Sequence, residues 1–208
     1  MPSGVSVVLL AAGAGSRFGG GKLLAPLGDG TLIGATLRGL RGAPVDEIIV
    51  VLGEDAEELR RVCEPYGVRF AKNPDWAQGM STSVRRGLSA CAPQTRAAVV
   101  ALADQPLVGA LAIARLVRAF EGGTRVAVAT YGGRPRNPAL FSRETWPMLE
   151  AELSGDRGAR EFLKRHPELV TEVPCDDVAD PADVDTVEDL RRLEELSPPS
   201  GVGQRRSL

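Results

Sequence analysis

Short apolar runs rich in Val, Ile and Ala recur along the chain at 5–10, 47–52, 68–71, 97–103 and 125–129. They are apolar at nearly every position rather than every second one, the pattern of strands buried on both faces. Between them, apolar positions return with helical spacing at 31–41, 55–64, 81–91 and 110–121. Strands alternating with helices across short connections predict a three-layer α/β fold: a mainly parallel sheet, helices on both faces, and right-handed crossovers. The rhythm breaks after Ala129. Residues 130–141, rich in Gly, Pro and Arg, are expected to form a loop. Helices at 143–152 and 157–165, a strand at 170–174 and a last helix at 186–196 follow. Residues 197–208 lack apolar periodicity and read as a disordered tail, leaving 1–196 as one domain without internal repeats.

Charge and composition then remove several function classes. Lys+Arg 25 against Asp+Glu 27 gives a net charge of −2, so no basic surface is on offer to nucleic acid. The longest apolar runs, near 5–12 and 97–103, fall far short of the ~18–20 residues that span a bilayer. Nothing basic precedes the first of them, so it is not a signal peptide, and a cytoplasmic protein away from membranes is expected. Three widely spaced cysteines and one histidine, His166, argue against a disulfide framework, a zinc site and an imidazole base. Lysine is scarce: only Lys22, Lys72 and Lys164 occur, so a lysine inside a glycine-rich loop stands out.

That loop follows the first strand, at the sheet edge where open α/β folds bind ligands. It runs Leu10-Ala11-Ala12-Gly13-Ala14-Gly15-Ser16-Arg17-Phe18-Gly19-Gly20-Gly21-Lys22. Small residues let backbone N–H groups approach a phosphate, and Arg17 and Lys22 add positive charge. The dinucleotide fingerprint G-x-G-x-x-G fails at Phe18, and the P-loop pattern fails at Ser16 and Leu23. Asp104 ends the 97–103 strand at the same edge, where a hard cation takes one or two carboxylates plus phosphate oxygens; a turn cap before Pro106 is the plainer alternative. Gly79 and Ser81 precede a helix whose free N–H groups suit a phosphate, although Ser81 and Ser83 equally suit capping.

The loop resembles the motif L-A-A-G-x-[SG]-x-R-x-G-x-x-K of the MobA/MocA-like NTP transferases, nearest their molybdenum cofactor cytidylyltransferase branch. Further similar stretches follow in order at 73–83, 103–106, 154–160 and 183–190, so the likeness covers about residues 4 to 195. It implies a Rossmann-like fold of the nucleotide-diphospho-sugar transferase type. It implies Leu10, Ala11, Ala12, Gly13, Gly15, Arg17, Lys22, Asn73, Gly79 and Ser81 as nucleotide-binding residues, with Arg17, Lys22 and Asp104 catalytic. Asp104 and Asp185 would hold Mg²⁺ or Mn²⁺, with Asp183 in reserve, unless Asp185 only opens its helix. Two such carboxylates repel unless a cation separates them, so neutralising either is expected to leave the metal-free protein as stable or slightly more so.

The resemblance also implies the substrates: CTP or another NTP, a molybdopterin-type acceptor and, downstream, a client molybdoenzyme. The Ala12 methyl is expected to crowd a purine where guanylyl relatives carry Gly. Trp76 either flanks a pterin or packs its loop, and packing is favoured. Relatives carry Gly-x-Pro-Gly-His-Pro where this chain has Arg136-Asn137-Pro138, so the acceptor itself is open; Arg134 and Arg136 suit an anionic one. Two rival functions remain: an NAD(P)H-dependent oxidoreductase on the same scaffold, and a non-catalytic chaperone for the cofactor.

Overall fold

The computed structural model describes residues 3–13, 15–53 and 56–196. The tail at 197–208 lies outside them, as does the expected helix start at 55. Among the described residues the strands are β1 (Val5–Ala11), β2 (Pro26–Leu27), β3 (Gly30–Thr31), β4 (Glu47–Leu52), β5 (Arg69–Lys72), β6 (Ala97–Leu102), β7 (Val126–Tyr131), β8 (Arg134–Ser142) and β9 (Val170–Pro174). The helices are α1 (Leu32–Gly39), α2 (Ala56–Cys63), α3 (Met80–Ala90), α4 (Ala110–Glu121), α5 (Trp146–Glu152), α6 (Arg160–Arg165) and α7 (Val187–Leu196).

Seven strands form one sheet in the order β5-β4-β1-β6-β8-β7-β9, and β2 and β3 make a separate small hairpin. Every pairing in the large sheet is parallel except those of β8, which runs antiparallel to β6 and β7. The continuous apolarity of β1 has the cause the pattern predicts. Val5, Val7, Leu9 and Ala11 pack with α1, α2 and α4 on one face, while Val8 and Leu10 join α3, α5 and α6 on the other. This is the nucleotide-diphospho-sugar transferase fold.

The segment expected as a loop at 130–141 is instead the end of β7 and most of β8. Gly132 and Gly133 sit at φ 56° and 68° and join the paired residues Tyr131 and Arg134 in a two-residue hairpin turn that needs both positive angles. Pro135 and Pro138 suggested a loop because proline cannot donate to a ladder. They are tolerated because β6 pairs only with Ala139–Ser142, and the β7–β8 register shifts between Val128 and Ala129, leaving Asn137 and Pro138 out of the pairing. The helix expected at 143–152 opens with a 3-10 turn at Arg143–Thr145, and that at 157–165 is shortened to α6.

His166, just beyond α6, is tied to the end of α5 by a 2.6 Å hydrogen bond between its Nε2 and Glu152 Oε1. That bond and the carboxylate charge, with Glu168 beyond them, hold the imidazole above its ordinary value of 6.5. A histidine with a raised folded-state pKa contributes stability below its unfolded value and loses it as pH rises through the folded one. The melting temperature is therefore expected to fall as pH rises above 6.5, and a His166→Gln variant should flatten that decline. Because the chain has one histidine, an unchanged slope in the variant would remove this account.

Candidate active site

β1 and β6 end side by side, and their pairing continues as Ala103 N–H donates to the Leu10 carbonyl at 3.1 Å. Both chains leave the sheet at its carboxyl edge. The glycine-rich loop then folds back on itself. Gly15, at φ 58°, accepts from Phe18 and Gly20 N–H, and a Cβ on it would lie 3.0 Å from Lys22 Cβ. This doubling-back aims Lys22 at Asp104.

The Lys22 ammonium meets two carboxylates at once: Asp104 Oδ2 at 2.6 Å and Asp185 Oδ1 at 3.2 Å. Arg17 Nη1 takes the other Asp185 oxygen at 3.0 Å. Side-chain exposure grades outward, from 13% for Lys22 and 22% for Asp104 to 42% for Asp185 and 79% for Arg17. Burial alone would lower the Lys22 pKa, but Asp104 and then Asp185 outweigh it and hold it above the ordinary value. The cation that separates the two acids is thus the protein's own. For the metal-free protein this reverses the expected sign: neutralising Asp104 removes an attraction to Lys22 instead of relieving a repulsion.

Asp185 arrives from 81 residues later in the chain through specific ties. Gln105 Nε2 donates to Pro181 O at 3.0 Å and Asp183 Oδ1 at 2.6 Å, and Val184 N–H donates to the Asp104 carbonyl at 3.0 Å. Beneath them, Thr36 Oγ1 of α1 donates to Ala103 O at 2.8 Å. Partial desolvation and the neighbouring Asp104 push the Asp183 carboxyl above the usual range. The start of α7 is capped by other residues: Asp189 Oδ2 accepts from Thr186 N–H and Oγ, and Thr186 Oγ1 accepts from Asp189 N–H. This reciprocal box leaves the Asp185 side chain free to face Lys22. Gln105 and Thr36 were not assigned from sequence; Gln105 stood in a quoted motif, whereas Thr36 carried no local signal.

The remaining residues expected at the nucleotide are placed in different ways. Leu10, Ala11 and Ala12 are buried strand-end residues, so only their backbone is available to a ligand, while Gly13 is exposed. A Cβ on Gly53 would stand 2.9 Å from Trp76 Cγ and 3.0 Å from Ala12 Cβ, and Trp76 packs against the apolar cluster that includes Ala12. Asn73 is buried and spends its amide internally: Nδ2 donates to Thr82 Oγ1 and Ser83 Oγ, and Oδ1 accepts from Asp75 N–H. It therefore positions the start of α3. No side chain caps that start: Gly79 occupies the cap position at φ 112°, where a Cβ would stand 2.5 Å from the Gly155 carbonyl carbon. Ser81, buried, follows within the first turn.

Across the edge, beyond β6, a cavity of about 450 Å³ lies between the β7–β8 hairpin and the 180–182 segment. Arg134 and Arg136 stand on it two residues apart in β8, hence on one face of the strand. Tyr131 lines it too; it is 8% exposed, and its buried hydroxyl has no hydrogen-bond partner. Burial, then Cys175 beside it, pushes that phenol above its ordinary range.

The donor set suits a hard divalent ion. Two carboxylates already converge on one cation, and no cluster of three or more His, Cys, Asp or Glu that could hold a metal exists among the described residues. Mg²⁺ and Mn²⁺ accept such a sparse protein shell when phosphate oxygens complete it. Among the described residues no helix is long and apolar enough to cross a membrane.

A family model, the MobA-like NTP transferase domain, matches residues 7–170. The chain is 36% identical to nicotine blue oxidoreductase of Paenarthrobacter nicotinovorans, over 91% of this chain and 96% of that protein. It is 28% identical to molybdenum cofactor cytidylyltransferase of Escherichia coli, over 68% and 71%. The crystal structure of a Mycobacterium tuberculosis Rv0371c homologue from Mycobacterium sp. strain JC1 superimposes with a TM-score of 0.84 at 37% identity, covering 94% of this chain and 98% of that one. Rv0371c of M. tuberculosis H37Rv, crystallised in complex with manganese, gives 0.77 at 30% identity, covering 94% and 100%.

Proposed function

The chain belongs to the MobA-like NTP transferase family, and from that premise we propose that it moves CMP from CTP onto the phosphate of a molybdopterin-type acceptor, releasing pyrophosphate. The observation that carries this reading is the meeting of Lys22 with Asp104 and Asp185 at the carboxyl edge of the sheet.

An oxygen of the acceptor phosphate attacks the α-phosphorus, a new P–O bond forms, and the bond to the bridging oxygen breaks with its electron pair leaving on pyrophosphate. The attacking oxygen is already deprotonated at neutral pH, so no side chain need act as base. Lys22 and Arg17 bind and neutralise the reacting phosphates, and alignment between loop and acceptor does the rest. Asp104 and Asp185 would hold Mg²⁺ or Mn²⁺, which when bound offsets phosphate charge and polarises the α-phosphate. Manganese in a relative's crystal supports a divalent ion in this role. The preference for CTP over GTP rests on the cytidylyltransferase relative, since the Ala12 methyl expected to crowd a purine is instead spent in the buried apolar cluster. Three free, buried thiols are compatible with action in the cytoplasm.

On the acceptor side, Arg134 and Arg136 would grip an anion in the cavity. A double Arg134→Ala, Arg136→Ala variant is expected to raise KM for the acceptor about ten-fold, the worth of a charge-assisted hydrogen bond, with CTP affinity unchanged. An unchanged acceptor KM would remove the arginines from this role.

The oxidoreductase reading has an observation in its favour, the 36% identity over nearly the whole chain. Against it stand the missing dinucleotide fingerprint at Phe18 and a carboxylate pair for which hydride transfer has no use. One panel separates the readings: thermal shifts with CTP, GTP, ATP, UTP and NAD(P)H, each with and without Mg²⁺ or Mn²⁺, then pyrophosphate release with acceptor. Stabilisation by CTP with metal, followed by pyrophosphate release, is expected. A shift with NAD(P)H alone would overturn the transferase, and CTP binding without pyrophosphate release would leave a chaperone.

A further inference from the structure

We propose that the Lys22 ammonium is the resident counter-ion of the Asp104–Asp185 pair, so that a divalent ion gains the pair only when a nucleotide's phosphates draw Lys22 and Arg17 away. Metal and nucleotide then bind as one coupled unit. The coupling, though not the counter-ion itself, rests on the nucleotidyltransferase reading.

The geometry requires a competition. A metal arriving alone must displace an ammonium held at 2.6 and 3.2 Å by the two carboxylates it needs. It must also dislodge Arg17, 3.0 Å from the outer acid. Lys22 and Arg17 offset the charges of Asp104 and Asp185, with Asp183, held by Gln105, as a further acid nearby, so the free protein offers a lone dication only a small net attraction. A polyphosphate changes the balance. It gives Lys22 and Arg17 new anionic partners, and the vacated carboxylates then need a cation. Lys22 is the tighter gate because its side chain is 13% exposed, whereas Arg17, at 79%, swings into solvent at little cost. By linkage, whatever factor the nucleotide adds to metal affinity, metal must add to nucleotide affinity.

The test is Mn²⁺ binding to the full chain without nucleotide, read from the signal of free Mn²⁺ by electron paramagnetic resonance. The wild type is expected to bind weakly. Lys22→Met keeps the hydrocarbon stem and removes the charge, and should tighten Mn²⁺ about ten-fold, within the usual range of site-to-site coupling. Lys22→Arg keeps the charge and should stay near wild type. Adding CTP should tighten Mn²⁺ in the wild type by about ten-fold or more, and by clearly less in Lys22→Met. A folded Lys22→Met that binds Mn²⁺ no tighter overturns the proposal. Should that variant fail to fold, the exposed Arg17→Ala decides, with a smaller tightening expected and none overturning it. Tighter Mn²⁺ in Lys22→Met with no response to CTP in any protein would keep the counter-ion and overturn the nucleotide reading. CTP-dependent Mn²⁺ binding that ignores Lys22 would do the reverse.

Discussion

Asp104→Asn is expected to abolish nucleotidyl transfer and, unlike most active-site neutralisations, to lower stability as well. Its carboxylate is one of two that would hold the metal, and it makes the 2.6 Å contact that sets Lys22 in place. Removing one group that stabilises transition-state charge costs about 10²–10³ in turnover, and here a metal ligand and the aim of a lysine are lost together, so the loss should reach or exceed that range. The amide keeps the size of the acid but leaves the mostly buried ammonium with Asp185 alone. Hydrogen bonds to charged groups carry ~1.5–3 kcal/mol, and the remaining partner offsets part, so a stability loss of about 1–2 kcal/mol follows. Turnover by pyrophosphate release and melting of the metal-free protein check the two halves separately. A variant of unchanged or raised melting temperature would mean that the acids repel in the free protein after all. Substantial turnover would remove Asp104 from the site.

Gly87→Val is expected to be among the most destabilising single changes in the chain. Gly87 lies in α3, where the helix crosses β1 and β4, and a Cβ there would stand 2.1 Å from Val8 Cγ1 and 3.1 Å from Val51 Cγ2. Both valines are fully buried in strands paired on both sides, so neither can retreat. In an isolated helix, Gly→Ala gains about 1 kcal/mol. Here the added methyl forces the helix off the sheet, an overpacking that costs ~1–3 kcal/mol and cancels or exceeds that gain. Valine adds two more methyls at the same contact, so a loss of about 3 kcal/mol is expected, roughly 6–12 °C in melting temperature for a chain of this length. Denaturant midpoints for the Ala and Val variants give the graded check. A Gly87→Ala protein more stable than wild type by the full propensity gain would show that α3 has room the structure does not give it.

Much of the architecture was legible because its signals are local. Strands such as Glu47–Leu52 and Ala97–Leu102, and the helix Ala110–Glu121, fall where apolar periodicity sets them, since burial on both sheet faces demands continuous apolarity and burial of one helix face demands the 3.6-residue return. The glycine-rich loop with Arg17 and Lys22 was equally visible, because tight backbone turning and positive charge are both written in residue type. β8 was not. Its two prolines and four polar or charged residues look like a loop, and only its neighbours explain why they are accommodated: the pairing with β6 stops at Ala139, and the register with β7 slips past Pro138. The Gly132-Gly133 hairpin signal was present but outweighed by the composition around it.

What the sequence determined by itself, then, is the set of chemical groups and the sheet edge at which Lys22 and Asp104 emerge, because strand ends and loops follow from local pattern. What only the tertiary structure decided is how those groups are paired. Asp185 reads equally well as a helix opener until Thr186 and Asp189 are seen to cap α7 and Gln105 to tie down the preceding segment. The two acids read as a repelling pair until Lys22 is seen between them. Electrostatic interactions depend on distance through space, and the 163 residues that separate Lys22 from Asp185 along the chain carry no information about the 3.2 Å between them.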